Sequence, residues 1–279
     1  MSNKYMTMNE AAQLVRPNDM LALGGMTLYR RPMAFVQALI QNFRLTGSPS
    51  DLTLLNFTSS LESDLLIGAG LVQTIRTCYI GFEIFGLAPM FTYYANRGGL
   101  KIIEETEASI AFGLRAQMAG TGFMPSTAWV GTDLPKLRPD VKTIQDPYTG
   151  ETLTAFPALK PDVAIVHALL VDEDGNAVIG KNKAIDNELV LVADTVIVTA
   201  EKIVPQLDEV DLIAPLVDAI VLSPGGARPT SCHPEYALDG NSILDYVEQV
   251  SDPESFDRFV DTWFISSPQP KSAESAKFS

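Results

Sequence analysis

Short aliphatic and β-branched runs alternate along this chain with stretches whose apolar positions recur at helical spacing, the pattern of βα units around a largely parallel sheet buried on both faces. Met20-Leu-Ala-Leu-Gly-Gly25 reads as a first strand ending in a glycine turn, and Pro32–Ile40 as a helix opened by Pro at its first position. Strands are expected at Leu52–Phe57, Arg76–Phe82 and Leu100–Glu104, and helices at Leu61–Leu71, Ala88–Asn96 and Ser109–Ala119. The alternation then breaks. Six prolines between Pro125 and Pro161 punctuate a stretch with little periodicity, too long for an ordinary connection and therefore a surface flap. Val163–Val171 is the clearest strand, and the turn Asp172-Glu-Asp-Gly-Asn176 folds it into a small antiparallel hairpin with Ala177–Ile179. A helix ends at Leu189–Ala193, two buried strands follow at Thr195–Val204 and Val217–Leu222, and amphipathic helices at Ser242–Val250 and Pro253–Trp263 cover one face. The fold class is α/β: an open, largely parallel twisted sheet with helices on both faces.

No composition shift or internal repeat divides the chain, so residues 1–265 read as one domain and 266–279 as a polar, flexible tail. At 279 residues and 46% hydrophobic, the core needs neither disulfide nor metal to hold it. Cys78 and Cys232 are too far apart for a secreted disulfide framework and do not form a C-x-x-C pair, which points to a reducing cytoplasm and to no encoded zinc site. A net charge of −14 opposes nucleic-acid grooves and anionic membranes as partners. The polar stretch Met1–Glu10 and the nine-residue limit of the densest apolar run give no targeting or membrane-spanning segment.

Ligands of open parallel sheets bind beyond the carboxyl ends of the strands, so the residues after each strand are where chemistry is sought. In Gly24-Gly-Met-Thr-Leu-Tyr-Arg-Arg-Pro32, Gly24 and Gly25 admit close backbone approach, Thr27 offers a hydroxyl, and Arg30 or Arg31 is placed to fork onto a carboxylate or phosphate. A tight βα turn with solvated arginines fits the same residues. Ser223-Pro-Gly-Gly-Ala-Arg228 repeats the arrangement with Gly225, Gly226 and Arg228, against the alternative of a Pro/Gly surface loop. Glu104-Glu-Thr-Glu107 crowds carboxylates where one with a raised pKa would serve as a base, or where all simply complement a helix start. Glu83 is a further acid after a strand. His167, inside an apolar strand, reads as a hydrogen-bonded core residue, and Trp129 and Trp263 as packing residues; Cys232 beside His233 is not a catalytic pair, since neighbours in extended chain point apart.

In this order the segments resemble the α subunit of the class I coenzyme A transferases, most closely the glutaconate CoA-transferase type. The resemblance is carried by Ala22-Leu-Gly-Gly-Met-Thr-Leu-Tyr-Arg-Arg-Pro-Met33, Cys78-Tyr-Ile-Gly-Phe-Glu83, Gly86-Leu-Ala-Pro89, Gly113-Leu-Arg-Ala116, Gly122-Phe-Met-Pro125, Gly131-Thr-Asp133, Asp162–Ala168, Asp174-Gly-Asn176 and Val217–Ala227. It implies a two-subunit enzyme of α2β2 or larger assembly that moves CoA between an acyl-CoA and a small carboxylic acid. Coenzyme A thioester is then substrate rather than bound cofactor, and the nucleophilic glutamate lies on the β subunit of the CoA-transferase. Gly24, Gly25, Thr27, Arg30 and Arg31 would line the acyl side of the cleft, with Gly225, Gly226 and Arg228 bordering it. In relatives that open steroid-derived rings by hydrolysing carbon–carbon bonds of CoA thioesters, an α-subunit glutamate six residues before the Gly-Leu pair is catalytic, and Glu107 matches it. Another branch decarboxylates glutaconyl-type thioesters, and no feature here favours it. Because fold alone does not imply activity, a non-catalytic ligand-binding subunit is the reading from another class.

Overall fold

The computed structural model describes residues 4–266. Seven parallel strands form the main sheet in the order β11 (Ala219–Leu222), β10 (Thr195–Val204), β8 (Val163–Asp172), β1 (Met20–Leu23), β2 (Leu52–Asn56), β3 (Val72–Thr77) and β4 (Lys101–Glu104). The two-residue β9 (Ala177–Val178) pairs antiparallel with β8, closing the expected hairpin. Chain order reverses at β1, which has β2 on one side and β8 on the other. Helices from the two directions leave a crevice outside the carboxyl ends of β1 and β8, the place where open sheets bind ligands.

Side-chain alternation divides the sheet into two buried faces. Leu21, Leu23, Leu54, Ile75, Val163 and Ile165 pack beneath α1 (Met8–Ala12), α2 (Met33–Thr46), α3 (Leu61–Gly68), α4 (Pro89–Ala95), α8 (Gly240–Gln249) and α9 (Pro253–Ser266). Ala22, Leu55 and Ala164 pack beneath α5 (Glu107–Met118) and α7 (Asp186–Val192). Ser266 ends α9, and residues 267–279 of the expected tail lie outside the described residues. No helix among the described residues is long and apolar enough to cross a membrane.

Two expectations need correction. The third strand runs Val72–Thr77 rather than Arg76–Phe82; Ile80 and Phe82 are apolar because they pack on the helical layer, not because they extend the ladder. The flap is ordered: β5 (Phe123–Ser126), β7 (Thr152–Pro157) and β6 (Lys142–Gln145) form a three-stranded antiparallel sheet, with the one-turn α6 (Leu134–Leu137) between β5 and β6. Phe156 stacks on Phe112 of α5 with centroids 5.6 Å apart and meets Trp129 edge-on at 5.1 Å, fastening the flap to the helix.

Helix α4 has no side-chain cap of its own, and Asp64 of α3 supplies one. Its buried carboxylate accepts from Phe91 N at 2.6 Å, Met90 N at 3.2 Å and the Tyr246 hydroxyl at 2.7 Å. Burial outweighs these bonds and pushes Asp64 up to about 6. Between about pH 4 and 6 the unfolded chain releases this proton while the folded chain retains it, so stability falls as pH rises through that window, by about 3 kcal/mol for two units. Asp64→Asn is expected to remove that component. Unfolding free energies measured at pH 4 and 7 should differ between variant and wild type by this amount in slope; parallel profiles would place the Asp64 proton elsewhere.

Candidate functional site

The first glycine turn is built from inside. Gly25 has φ of +85°, and a Cβ there would lie 2.6 Å from Tyr29 O; one at Gly24 would lie 2.9 Å from Asp186 Oδ1. Both glycines are therefore required by neighbouring protein atoms. Thr27 and Arg30 adopt the left-handed region at φ +44° and +56°, conformations that persist only where surroundings over-determine them.

The two arginines supply that determination, and neither reaches the cleft. Arg30 is fully buried; its guanidinium pairs with Asp186 at 2.5 Å and donates to His167 O at 2.7 Å and Asn182 O at 3.1 Å. Asp186 in turn accepts from Gly25 N at 3.0 Å. Arg31, equally buried, donates to Thr27 O at 2.9 Å, Gly24 O at 3.1 Å, Leu23 O at 3.3 Å and Thr58 Oγ1 at 3.3 Å, with Glu62 at 3.4 Å. These cations bind the carbonyls of the turn that a sequence reading has them extend from. The anion-fork expectation for Arg30 and Arg31 is thus corrected: what the turn leaves partly open is Met26 and Thr27. Thr27 N donates to Thr58 Oγ1 at 3.0 Å, so the turn after β1 is tied to the loop after β2.

The second glycine loop follows β11 and leans on the same framework. Gly225 N donates to Glu201 Oε2 at 2.6 Å, and a Cβ at Gly226 would lie 2.9 Å from the His167 ring. Glu201 also accepts from the Tyr236 hydroxyl and meets His167 Nε2 at 2.8 Å; His167 Nδ1 lies 2.8 Å from Thr199 Oγ1. Burial lowers the His167 pKa despite Glu201, leaving the imidazole neutral, as befits a hydrogen-bonded core residue. Arg228 alone of the three candidate arginines is exposed, its guanidinium 4.2 Å from the Tyr236 ring centroid.

The acidic segment divides into unlike residues. Glu105 is buried, ion-paired to Arg76 at 2.5 Å and Arg138 at 2.9 Å, and accepts from Ser109 Oγ at 2.6 Å. Thr106 caps α5 and also accepts from Trp129 Nε1 at 2.9 Å, so flap and helix start are locked together. Glu107 is the first residue of α5, exposed, at the carboxyl end of β4, and forms no ion pair among those resolved in the described residues. Its carboxylate acts on the half-buried Cys78 thiol at the end of β3, which burial pushes up to about 11 with Glu107 adding to the rise. Glu83 is exposed in a one-turn 3₁₀ helix, away from the strand end where the sequence placed it. Asp186, Glu62, Thr58, Glu201 and Tyr236 were not singled out from the sequence. Each acts through a partner distant in the chain or through main chain, so local pattern carries no signal for them.

An open parallel sheet with a built crevice at its chain reversal, two glycine loops and an unpaired acid at the rim define an α/β enzyme subunit that works on a ligand at the carboxyl ends of its strands. A model of the coenzyme A transferase family matches residues 5–222, and the chain belongs to that family. It is 31% identical over 273 residues to the α subunit of 3-oxoadipate CoA-transferase of Pseudomonas knackmussii, with 93% of each chain covered. It is 29% identical over 282 residues to the IpdA subunit of the cholesterol ring-cleaving hydrolase of Mycobacterium tuberculosis, with 94% of each covered. The crystal structure of glutaconate coenzyme A-transferase from Acidaminococcus fermentans matches with a TM-score of 0.85 at 28% identity, over 96% of this chain and 90% of that one. Fold and family are those that the glycine turns and strand-end motifs imply.

Proposed function

We propose that this chain is the α subunit of a two-subunit enzyme that moves CoA between an acyl-CoA and a small carboxylic acid of the glutaconate or 3-oxoacid type, with the nucleophilic glutamate supplied by the β subunit. The observation that carries this reading is the state of the acids around the crevice. Glu62, Asp186, Glu105 and Glu201 are buried and each engaged by an arginine, a histidine or main-chain donors. A carboxylate attacks a thioester only when desolvated and free of such partners. None of these four is available, and Glu107, which is unpaired, is exposed. The nucleophile therefore comes from a second chain closing over the crevice, in a heteromeric assembly of α2β2 or larger form. This chain contributes the wall: the turn at Gly24, Gly25 and Thr27 on one side, and Gly225, Gly226 and the exposed Arg228 on the other. Arg30 and Arg31 hold that wall from behind.

A second reading, a CoA-thioester carbon–carbon hydrolase, is favoured by Glu107 itself. It stands unpaired at the rim beside Cys78, at the position matching the catalytic acid of the ring-cleaving relatives. Covered by its partner in the assembly it would lose water and become a base. Glu107→Gln in the complete enzyme tests both. Under the transferase reading CoA exchange persists and no hydrolysis is lost. A fall in thioester cleavage of about 100-fold or more, the range for removing a general base, with no exchange activity in wild type, would establish the hydrolase instead.

A further inference from the structure

We propose that His167, Glu201 and Cys232 form a buried site for one thiophilic divalent cation of the zinc type, distinct from the transfer chemistry. One residue comes from β8, one from β10 and one from the loop after β11, and their ligating nitrogen, oxygen and sulfur atoms all lie within 4.8 Å of one another. A tetrahedral zinc with bonds of about 2.0–2.3 Å needs such atoms roughly 3.3–3.7 Å apart, so side-chain adjustment of about an ångström completes the site. All three residues are buried, which removes competing water.

The surroundings are those of a ligand set. Gly225 N holds Glu201 Oε2 at 2.6 Å, orienting the carboxylate so that Oε1 faces His167. Thr199 Oγ1, 2.8 Å from His167 Nδ1, both donates and accepts. The neutral imidazole can thus move its proton from Nε2 to Nδ1, bind a cation through Nε2 and keep its second hydrogen bond, the usual support of a metal-bound histidine. Charge also balances. The Cys232 thiol gives its proton to solvent on binding, and thiolate plus carboxylate neutralise the dication. Without a cation, burial and Glu201 push that thiol up to about 12, so it keeps its proton. The Tyr236 hydroxyl, which donates to Glu201, ends as an outer neighbour or a fourth ligand.

The spacing of the three residues is why the sequence suggests no zinc site: no two are near in the chain, and parallel pairing of β8 with β10 brings His167 opposite Thr199, two residues before Glu201.

Chelator-treated full-length chain titrated with Co²⁺ is expected to bind one ion with a thiolate-to-cobalt charge-transfer band, and one equivalent of Zn²⁺ should displace it. Cys232→Ser should abolish the band and weaken Zn²⁺ binding by about 100-fold or more. Thr199→Val, which keeps the three ligands, should weaken it by about 10–100-fold. Cys78→Ser should change nothing. Absence of the band from wild type, its survival in Cys232→Ser, or its loss in Cys78→Ser would show the cluster to be a hydrogen-bonded network only.

Discussion

Arg31→Ala is expected to lower the unfolding free energy by about 3–5 kcal/mol, the range for removing one partner of a buried ion pair. The side chain is fully buried, and its loss strands Glu62 as a buried charge without its cation. It also leaves Leu23 O, Gly24 O and Thr27 O without their guanidinium donors. Burial works against the Arg31 charge, while Glu62 and Asp186 favour it. The truncated turn should relax toward ordinary φ at Thr27, where the backbone is held at +44°. Denaturant titration of variant and wild type measures the effect. A change below about 1 kcal/mol accompanied by weakened substrate binding would restore Arg31 as an anion clamp and remove it from the framework.

That reversal shows what a sequence can and cannot carry. Two arginines at a helix start look like an anion site because the pattern gives their position but not their direction. Here α2 begins only at Met33, so Arg30 and Arg31 belong to the turn and point back under β1. The strands β1, β2, β8 and β10 were legible within a residue or so because burial on both faces makes them continuous apolar runs between turn signals. β3 was not, since Gln73, Thr74 and Arg76 break its apolar run while Ile80 and Phe82 extend an apolar pattern beyond it. The flap strands were hidden because β5 and β6 keep mostly exposed or half-exposed residues and prolines interrupt them. In the acidic segment the sequence marks three glutamates alike. Only the fold distinguishes Glu105, held by arginines from β3 and the flap, from Glu107 at the rim. His167 was legible as a core residue, but its partners Thr199 and Glu201 come from a neighbouring strand 32 and 34 residues away, a distance no local pattern spans.

The purified chain alone is expected to fold and to show no CoA transfer, with turnover of roughly 1 per second or more appearing only when the β subunit is added. Folding follows from the core: the sheet is covered on both faces by helices of this same chain. Inactivity follows from the acids. Attack on a thioester needs a carboxylate with a free lone pair in a dry, preorganised setting, and the buried carboxylates at the crevice already accept from arginine, histidine, hydroxyl or main-chain donors. Freeing any of them would uncouple a loop that shapes the crevice: Asp186 holds Gly25, Glu201 holds Gly225, and Glu105 helps hold the helix start at Thr106 and Ser109. Framework and nucleophile thus make opposite demands on a carboxylate, and this chain assigns its buried acids to the framework. The measurement is CoA exchange between acyl-CoA and free acid by the isolated chain, by its isolated partner and by the mixture. Exchange by rigorously purified chain at the rate of the mixture would mean that Glu107 or another acid of this chain is the nucleophile, and would overturn the division of labour between the two polypeptides.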